Sequence, residues 1–440
     1  MIPLTGGRAR PAPRVGLFGH LGAWNTGNDA SMESVLAYLR SHHDNASIDV
    51  MCAGPERVTE LYGIPAVSLF WHQRYEGTAS GAAKLALKVL GKGIDAFRTA
   101  AWVRRHDVVI VPGAGVLEAS LPLWPWGLPY ALFVLTASGK VFRTRVALVS
   151  VGAGPIKQPV TRWLSNAAAQ LAFYRSYRDA GAREAMRERG LDFEQDRVFP
   201  DLVFALPTPP ASSTSSAPEL SPSNTNLVGF GVMDFHGSNN DRKRAHAIYT
   251  EYVTQMKQLL LWLIDSGRSV RLFVGDANGS DDAVVKNLLA DIHSLRPDLD
   301  PSRIASEAVS TFSDLMVAMQ RVDVVIAIRY HNLVCALKLC KPTLSIGYSP
   351  KHDVLMASMG LQKYCQSVES LDIAQLKVQF RELESRGAEL RHFMRERNVE
   401  NARLLDDQFT ELSAKLFDAP EVPAFEVTGA KLCPSRTEDA

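Results

Sequence analysis

The feature that most constrains this fold is an alternation of short apolar runs with amphipathic ones, in which the apolar runs break into glycines. "RVGLFGHLG" is the first, and "DASMESVLAYLRSHH" after it places Met32, Val35, Leu36 and Leu39 at helical spacing. "SIDVMCAG", the helix "PERVTELYG" closed by Gly63, and the strand "IPAVSLF" continue the rhythm. "DVVIVPG" and "RVALVSVGAGPI" repeat it, each a fully buried strand opening into a glycine turn, and a short strand in "AFYRSYRD" follows among helices. Strands separated by helices in this way pair in parallel, so the fold class is α/β. In open α/β sheets ligands bind outside the carboxyl ends of the strands, the edge that carries these glycine turns.

The chain has 440 residues, more than one hydrophobic core usually serves, so two domains are expected. "PTPPASSTSSAPELSPSNTN" is rich in Pro, Ser and Thr and cannot pack a core; it reads as a linker. Beyond it "LVGFGVMDF", a long amphipathic helix from Ala245, "SVRLFVGD", "RIASEAV" and "VDVVIAI" start the alternation again. The expected organisation is a flexible N-terminus over 1–13, a Rossmann-like lobe over 14–206, the linker over 207–225, a second Rossmann-like lobe with terminal helices over 226–418, and a flexible tail over 419–440. Two such lobes facing a cleft form a GT-B-like architecture, and a cleft between domains is a favoured place for a small-molecule site.

A net charge of +1 gives no field of the kind that draws a protein onto nucleic acid. Cys52, Cys335, Cys340, Cys365 and Cys433 are odd in number and lie outside metal-ligand spacings, which suits reduced thiols in a cytoplasmic protein. No metal and no cofactor is expected. The N-terminal segment lacks the apolar stretch of an export signal, and no run reaches the length of a membrane span, so a soluble chain is expected. "KLALKVLGKG" is a basic amphipathic stretch that suits a plain surface helix or contact with a membrane surface.

The candidate site residues lie at strand ends. "RYH" separates the strand "VDVVIAI" from the helix "NLVCALKLC", so Arg329 and His331, two residues apart in an extended turn, can face the same way. Arginine offers a planar fork to carboxylate or phosphate, and histidine transfers protons near neutral pH. Asn332 follows them. Lys351 comes after the strand Thr343 to Gly347, and Arg178 after the strand in "AFYRSYRD", where Asp179 is a natural helix cap. The turn "GHLGAWNTGNDA", with Gly22, Asn25 and Asp29, suits either an anion or a tight turn capped by Asn28 or Asp29. Gly113, Gly115 and, in the second lobe, His236 face the same cleft.

"NTGNDA", "SVGAGPI", "YRSYRD", "PDLVF" and above all "RYHNLVCALKLCKPTLSIGYSPKH" resemble motifs of the polysaccharide pyruvyl transferase family, over roughly Val15 to Leu361. Asn28 stands where the family commonly has an acidic residue, and Cys340 where it has glycine. The resemblance implies transfer of the enolpyruvyl group of phosphoenolpyruvate onto two sugar hydroxyls as a pyruvate ketal, on a precursor of a cell-surface polysaccharide or glycolipid. It implies His331 as acid/base, Arg329 as anion clamp, Arg178, Lys351 and Asn332 as further donor contacts, and Gly22, Asn25, Asp29, Gly113, Gly115 and His236 toward the acceptor. Phosphoenolpyruvate would be the co-substrate, a sugar, lipid- or nucleotide-linked, the acceptor, and the inner face of the membrane a place of action. A GT-B glycosyltransferase using a nucleotide sugar and a non-catalytic sugar-binding protein of the same fold are the alternatives.

Overall fold

Among the described residues the apolar runs form thirteen strands in two all-parallel sheets. A computed structural model describes residues 12–71, 81–118, 125–191, 193–210, 226–237, 241, 243–275 and 279–418, with the backbone alone for 81–88. Most of the expected N-terminal segment and of the linker, and the tail with Cys433, lie outside these residues.

In the first lobe β1 (Arg14–Gly19), β2 (Ser47–Cys52), β3 (Ala66–Ser68), β4 (Val108–Pro112), β5 (Arg145–Val151), β6 (Tyr174–Tyr177) and β7 (Arg197–Val198) take the order β3-β2-β1-β4-β5-β6-β7. Alternation across the pleat feeds two cores. Val15, Leu17, Val108 and Ile110 pack with Val35, Leu36 and Leu39 of α1 (Thr26–His42). Phe18, Val109, Val111 and Leu148 pack on the other face, beneath α3 (Gly81–Val103), α4 (Leu128–Phe142) and α5 (Pro159–Leu171). The short helices α2 (Pro55–Tyr62) and α6 (Ala180–Glu188) complete the lobe.

The second lobe repeats the plan with β8 (Leu227–Val232), β9 (Ser269–Val274), β10 (Ile304–Ser306), β11 (Val324–Ala327), β12 (Thr343–Gly347) and β13 (Cys365–Ser367), ordered β10-β9-β8-β11-β12-β13. Its helices are α7 (Ala245–Asp265), α8 (Ser280–Leu295), α9 (Phe312–Gln320), α10 (Tyr330–Lys338), α11 (Pro350–Ser358) and α12 (Ile373–Ser385). In both sheets the order reverses beside the first strand of the lobe, which opens a crevice at the strands' carboxyl ends.

The last helix, α13 (Gly387–Leu412), begins on the second lobe and ends on the first. Leu390 and Met394 are buried near its start. Near its end Phe409 stacks on Tyr38 at 4.6 Å, and the buried Gln408 amide bonds the hydroxyls of Ser150 and Ser176. The lobes are therefore tied at their backs by a helix and at their fronts by the cleft contacts described next.

Candidate functional site between the lobes

The helix after β11 starts earlier than the sequence suggests. Arg329 is its cap residue and Tyr330 its first helical residue, so His331 sits in the first turn of α10 rather than in an extended turn. The physical reason is room: the first turn is apolar at Tyr330 and Leu333, both buried, and winding it tucks these side chains into the core. Arg329 and His331 consequently leave the backbone in different directions.

His331 points across the cleft at α1. A Cβ placed on Gly27 would stand 1.9 Å from His331 Cδ2 and 2.2 Å from Nε2, so the imidazole lies against bare glycine backbone of the opposite lobe. Next to it the Thr26 hydroxyl donates to the Gly275 carbonyl at 3.1 Å. Burial, followed by the charges of Lys351, Arg329 and Arg178, pushes the His331 pKa down to about 3, against a hydrogen bond to the Gly275 backbone. The imidazole is neutral at pH 7, with three cations around it.

Two of those cations share one carboxylate. Arg178 Nη2 is 3.4 Å from Glu118 Oε2, and Lys351 Nζ is 3.3 Å from Glu118 Oε1, so an ion-pair triad spans the lobes. Arg178 also lies 3.6 Å from Asp179, which caps α6 as expected by accepting from Ala182 N at 2.6 Å. Burial opposes the guanidinium charge, but Tyr330, Glu118, Asp201 and Asp179 outweigh it and raise the pKa above the usual arginine range. The guanidinium lies flat on Gly152, where a Cβ would meet Nη2 at 2.5 Å. The Tyr330 ring carries both cations, Arg178 at 5.0 Å and Lys351 at 5.2 Å from its centroid.

Arg329 takes another path. Its Nε and Nη2 donate to the fully buried Asp281 carboxylate at 2.8 and 2.6 Å, a bidentate pair. Asp281 also accepts from Asp234 N at 2.8 Å, and His236 Nε2 lies 2.8 Å from the Asp234 carboxylate while its ring stacks on Tyr249 at 4.7 Å. Asn332 is buried between Gly231 and Gly275, where its Nδ2 donates to the Phe273 carbonyl at 3.4 Å. Its Oδ1 has no hydrogen-bond partner among the described residues.

The first loop is organised by its own contacts. Asn25, not Asn28 or Asp29, caps α1, its side chain accepting from Asn28 N at 3.1 Å. Asp29 is buried and accepts from Gly22 N at 2.7 Å; burial raises its carboxyl pKa. Gly22 has φ +66 and abuts Gly54 so closely that a Cβ would come within 2.3 Å of the Gly54 carbonyl oxygen. Gly113, at φ +53, takes the Ser31 hydroxyl at its back, and Gly115 lies under the folded Glu118 side chain.

The structure thus gathers His331, Arg178 and Lys351 in one place, and puts Arg329 and His236 on an adjoining network through Asp281. Sequence reading missed Gly27, Glu118, Tyr330, Asp201 and Asp281. "NTGNDA" and "GAGVLE" held the signal for two of them: a glycine inside a helix's first turn, and an acid just past a glycine-rich strand end.

His352, on α11, props the site from behind. It is fully buried, with Nδ1 at 3.0 Å from the Ser349 carbonyl and Nε2 at 3.1 Å from that of Ile328, the residue before Arg329. Burial first, then Lys351, pushes its pKa down to about 4. The unfolded chain, at an ordinary histidine pKa near 6.5, binds this proton sooner than the folded one. Stability present above that pH is therefore lost as pH falls toward 4, by about 2–3 kcal/mol at pH 4.5. Urea melts at pH 7 and pH 4.5 should show this loss, and His352→Asn should flatten it; an equal pH dependence in the variant would assign the loss elsewhere.

Among the described residues no group of three or more His, Cys, Asp or Glu is placed to hold a metal ion, and no helix is long and apolar enough to cross a membrane.

Two Rossmann-like lobes, a crossing terminal helix and a cation-lined cleft define a GT-B-like protein. The chain resembles the UDP-GlcNAc 2-epimerase of Neisseria meningitidis bound to UDP-GlcNAc (TM-score 0.56, 12% identity, 90% of this chain and 99% of that one). It is similar to a putative UDP-N-acetylglucosamine 2-epimerase of Listeria monocytogenes (0.57, 11%, 94% and 99%) and to the N-terminal domain of Candida albicans trehalose-6-phosphate phosphatase (0.57, 8%, 94% and 98%). At these identities the likeness is one of fold. No curated protein matches the sequence. The model of the polysaccharide pyruvyl transferase family matches residues 25–350, and the chain belongs to that family.

Proposed function

We propose that the protein moves the enolpyruvyl group of phosphoenolpyruvate onto two hydroxyls of one sugar, forming a pyruvate ketal on a precursor of a cell-surface polysaccharide or glycolipid. The observation that carries this reading is the gathering of Arg178, Lys351 and the charge of Arg329 around a neutral His331 in the interlobe cleft of a family member. The donor brings a carboxylate and a phosphate, and the two cations now shared by Glu118 are the groups to receive them. Glu118 must then give way.

The chemistry balances without a further reactant. One proton adds to C3 of the enol, C2 becomes electrophilic, and the first sugar hydroxyl adds there. Phosphate leaves from C2 and the second hydroxyl closes the ring. The two hydroxyl protons replace the one delivered to C3 and neutralise the departing phosphate. His331 handles the proton at C3. Burial is the first cause of its low pKa and the cations the next; an anion held by Arg178 and Lys351 offsets the latter, so the imidazole is easier to protonate when the donor is in place. Arg178 and Lys351 then stabilise the leaving phosphate. The loops of Gly22, Asn25, Asp29, Gly113, Gly115 and His236 rim the same cleft and are assigned to the acceptor. The proposed reaction belongs to the cytoplasm, at the inner face of the membrane, with a lipid- or nucleotide-linked sugar as acceptor.

The test is incubation of the purified protein with phosphoenolpyruvate and a panel of galactosides, glucosides and mannosides, read by mass and by released phosphate. One ketal-linked pyruvate and one phosphate per acceptor are expected. Turnover of nucleotide sugars with no pyruvylation would overturn the reading in favour of a glycosyltransferase.

A further inference from the structure

The outer helical layer of the first lobe carries apolar surface that its own fold leaves uncovered. Of the seventeen large apolar side chains exposed among the described residues, nine lie between Val89 and Phe173. Phe97 on α3 is 76% exposed, Trp163 on α5 is 60%, and Val141 on α4 is 73%. These helices are neighbours in one layer. The Tyr130 hydroxyl at the start of α4 donates to the Lys92 carbonyl of α3, Thr144 just past the end of α4 donates to the Val103 carbonyl, and the Trp163 ring lies 5.4 Å from that of Phe133 on α4. Val89 and Leu90 on α3, and Trp126 just before α4, are exposed as well.

The charge of this stretch is one-sided. Residues 89–173 hold nine Lys and Arg against three Asp and Glu, in a chain whose net charge is +1. Asp95 is buried, Glu118 lies in the cleft, and Asp107 is paired with Arg14. Arg104, Arg105, Lys140, Arg143, Lys157 and Arg162 are all exposed. A layer of exposed Trp, Phe and Val edged by cations, with its acids buried or paired, is complementary to the anionic headgroups and acyl boundary of a bilayer.

We infer that the α3–α4–α5 face docks on an anionic membrane surface. This deepens the proposed function by naming the surface through which a lipid-linked acceptor is presented. Vesicle binding and pyruvyl transfer are read separately, so either can fail without the other.

The experiment is flotation of the full chain with vesicles of phosphatidylcholine alone or mixed with phosphatidylglycerol. The wild type is expected to float with the mixed vesicles and at least about tenfold less with phosphatidylcholine alone, and raised salt should release it. Phe97→Glu combined with Trp163→Glu is expected to lower binding about tenfold, leaving the circular-dichroism melt and the transfer of pyruvate to a water-soluble glycoside as in the wild type. The inference is overturned if the wild type stays unbound, if both vesicle types bind it alike, or if the double variant binds unchanged. It is overturned equally if the wild type is a dimer that the double variant converts to monomer, because the face would then cover a second copy.

Discussion

His331→Ala is expected to lower pyruvyl transfer by roughly a hundredfold or more, the range of a lost general acid/base, with little change in the thermal melt. The imidazole lies against Gly27 at the cleft, and burial first, then the charges of Lys351, Arg329 and Arg178, depress its pKa to about 3. An isolated protein therefore holds it neutral throughout the physiological range. Donor anions oppose those cations, so the pKa in the complex must be higher than in the free protein. The acidic form is the one that protonates C3, and its population falls as pH rises through the complex's value. The kcat profile should consequently decline on the alkaline side, and His331→Gln should remove that limb along with most of the rate. Full activity in His331→Ala would remove this residue from the chemistry. Gly27→Ala is the companion variant: its Cβ would overlap the imidazole, and a ring pushed from place should reproduce much of the loss while His331 itself is still present.

The sequence made the lobes legible because buried parallel strands write themselves as apolar runs, and "DVVIVPG", "RVALVSV" and "VDVVIAI" are such runs. The ends of those runs located Arg178, His331 and Lys351 for the same reason: the carboxyl edge of a parallel sheet is a fixed place in the fold. What stayed hidden was pairing over long separations. Glu118 meets Lys351 across 233 residues, and nothing local to either predicts it. Gly27 is a poor helix former, so a local reading starts α1 after it, whereas the structure winds the helix through it and seats the His331 ring there. The course of α13 back to the first lobe was hidden too, since a charged amphipathic helix does not say which lobe buries its apolar stripe.

Asp281→Ala is expected to destabilise the protein by about 3–5 kcal/mol, the cost of leaving one partner of a buried ion pair alone. Asp281 is fully buried and holds both the Arg329 fork and the Asp234 amide. Its removal strands a guanidinium and loosens the loop that carries His236. Arg329→Ala should cost a similar amount, since it leaves the carboxylate behind. The pair of variants also decides what Arg329 does. Its charge reaches His331 even though its fork is turned to Asp281. If that charge also steadies the bound donor, Arg329→Gln should raise KM for phosphoenolpyruvate well beyond the effect of Asp281→Asn, which keeps the cation. If Arg329 serves only to fix the start of α10, the two substitutions should lower the apparent kcat alike, in proportion to the stability each has lost, and leave KM nearly unchanged. Titrating both variants with urea alongside the kinetics separates these outcomes, because a lost donor contact raises KM at constant folded fraction and a lost brace does not.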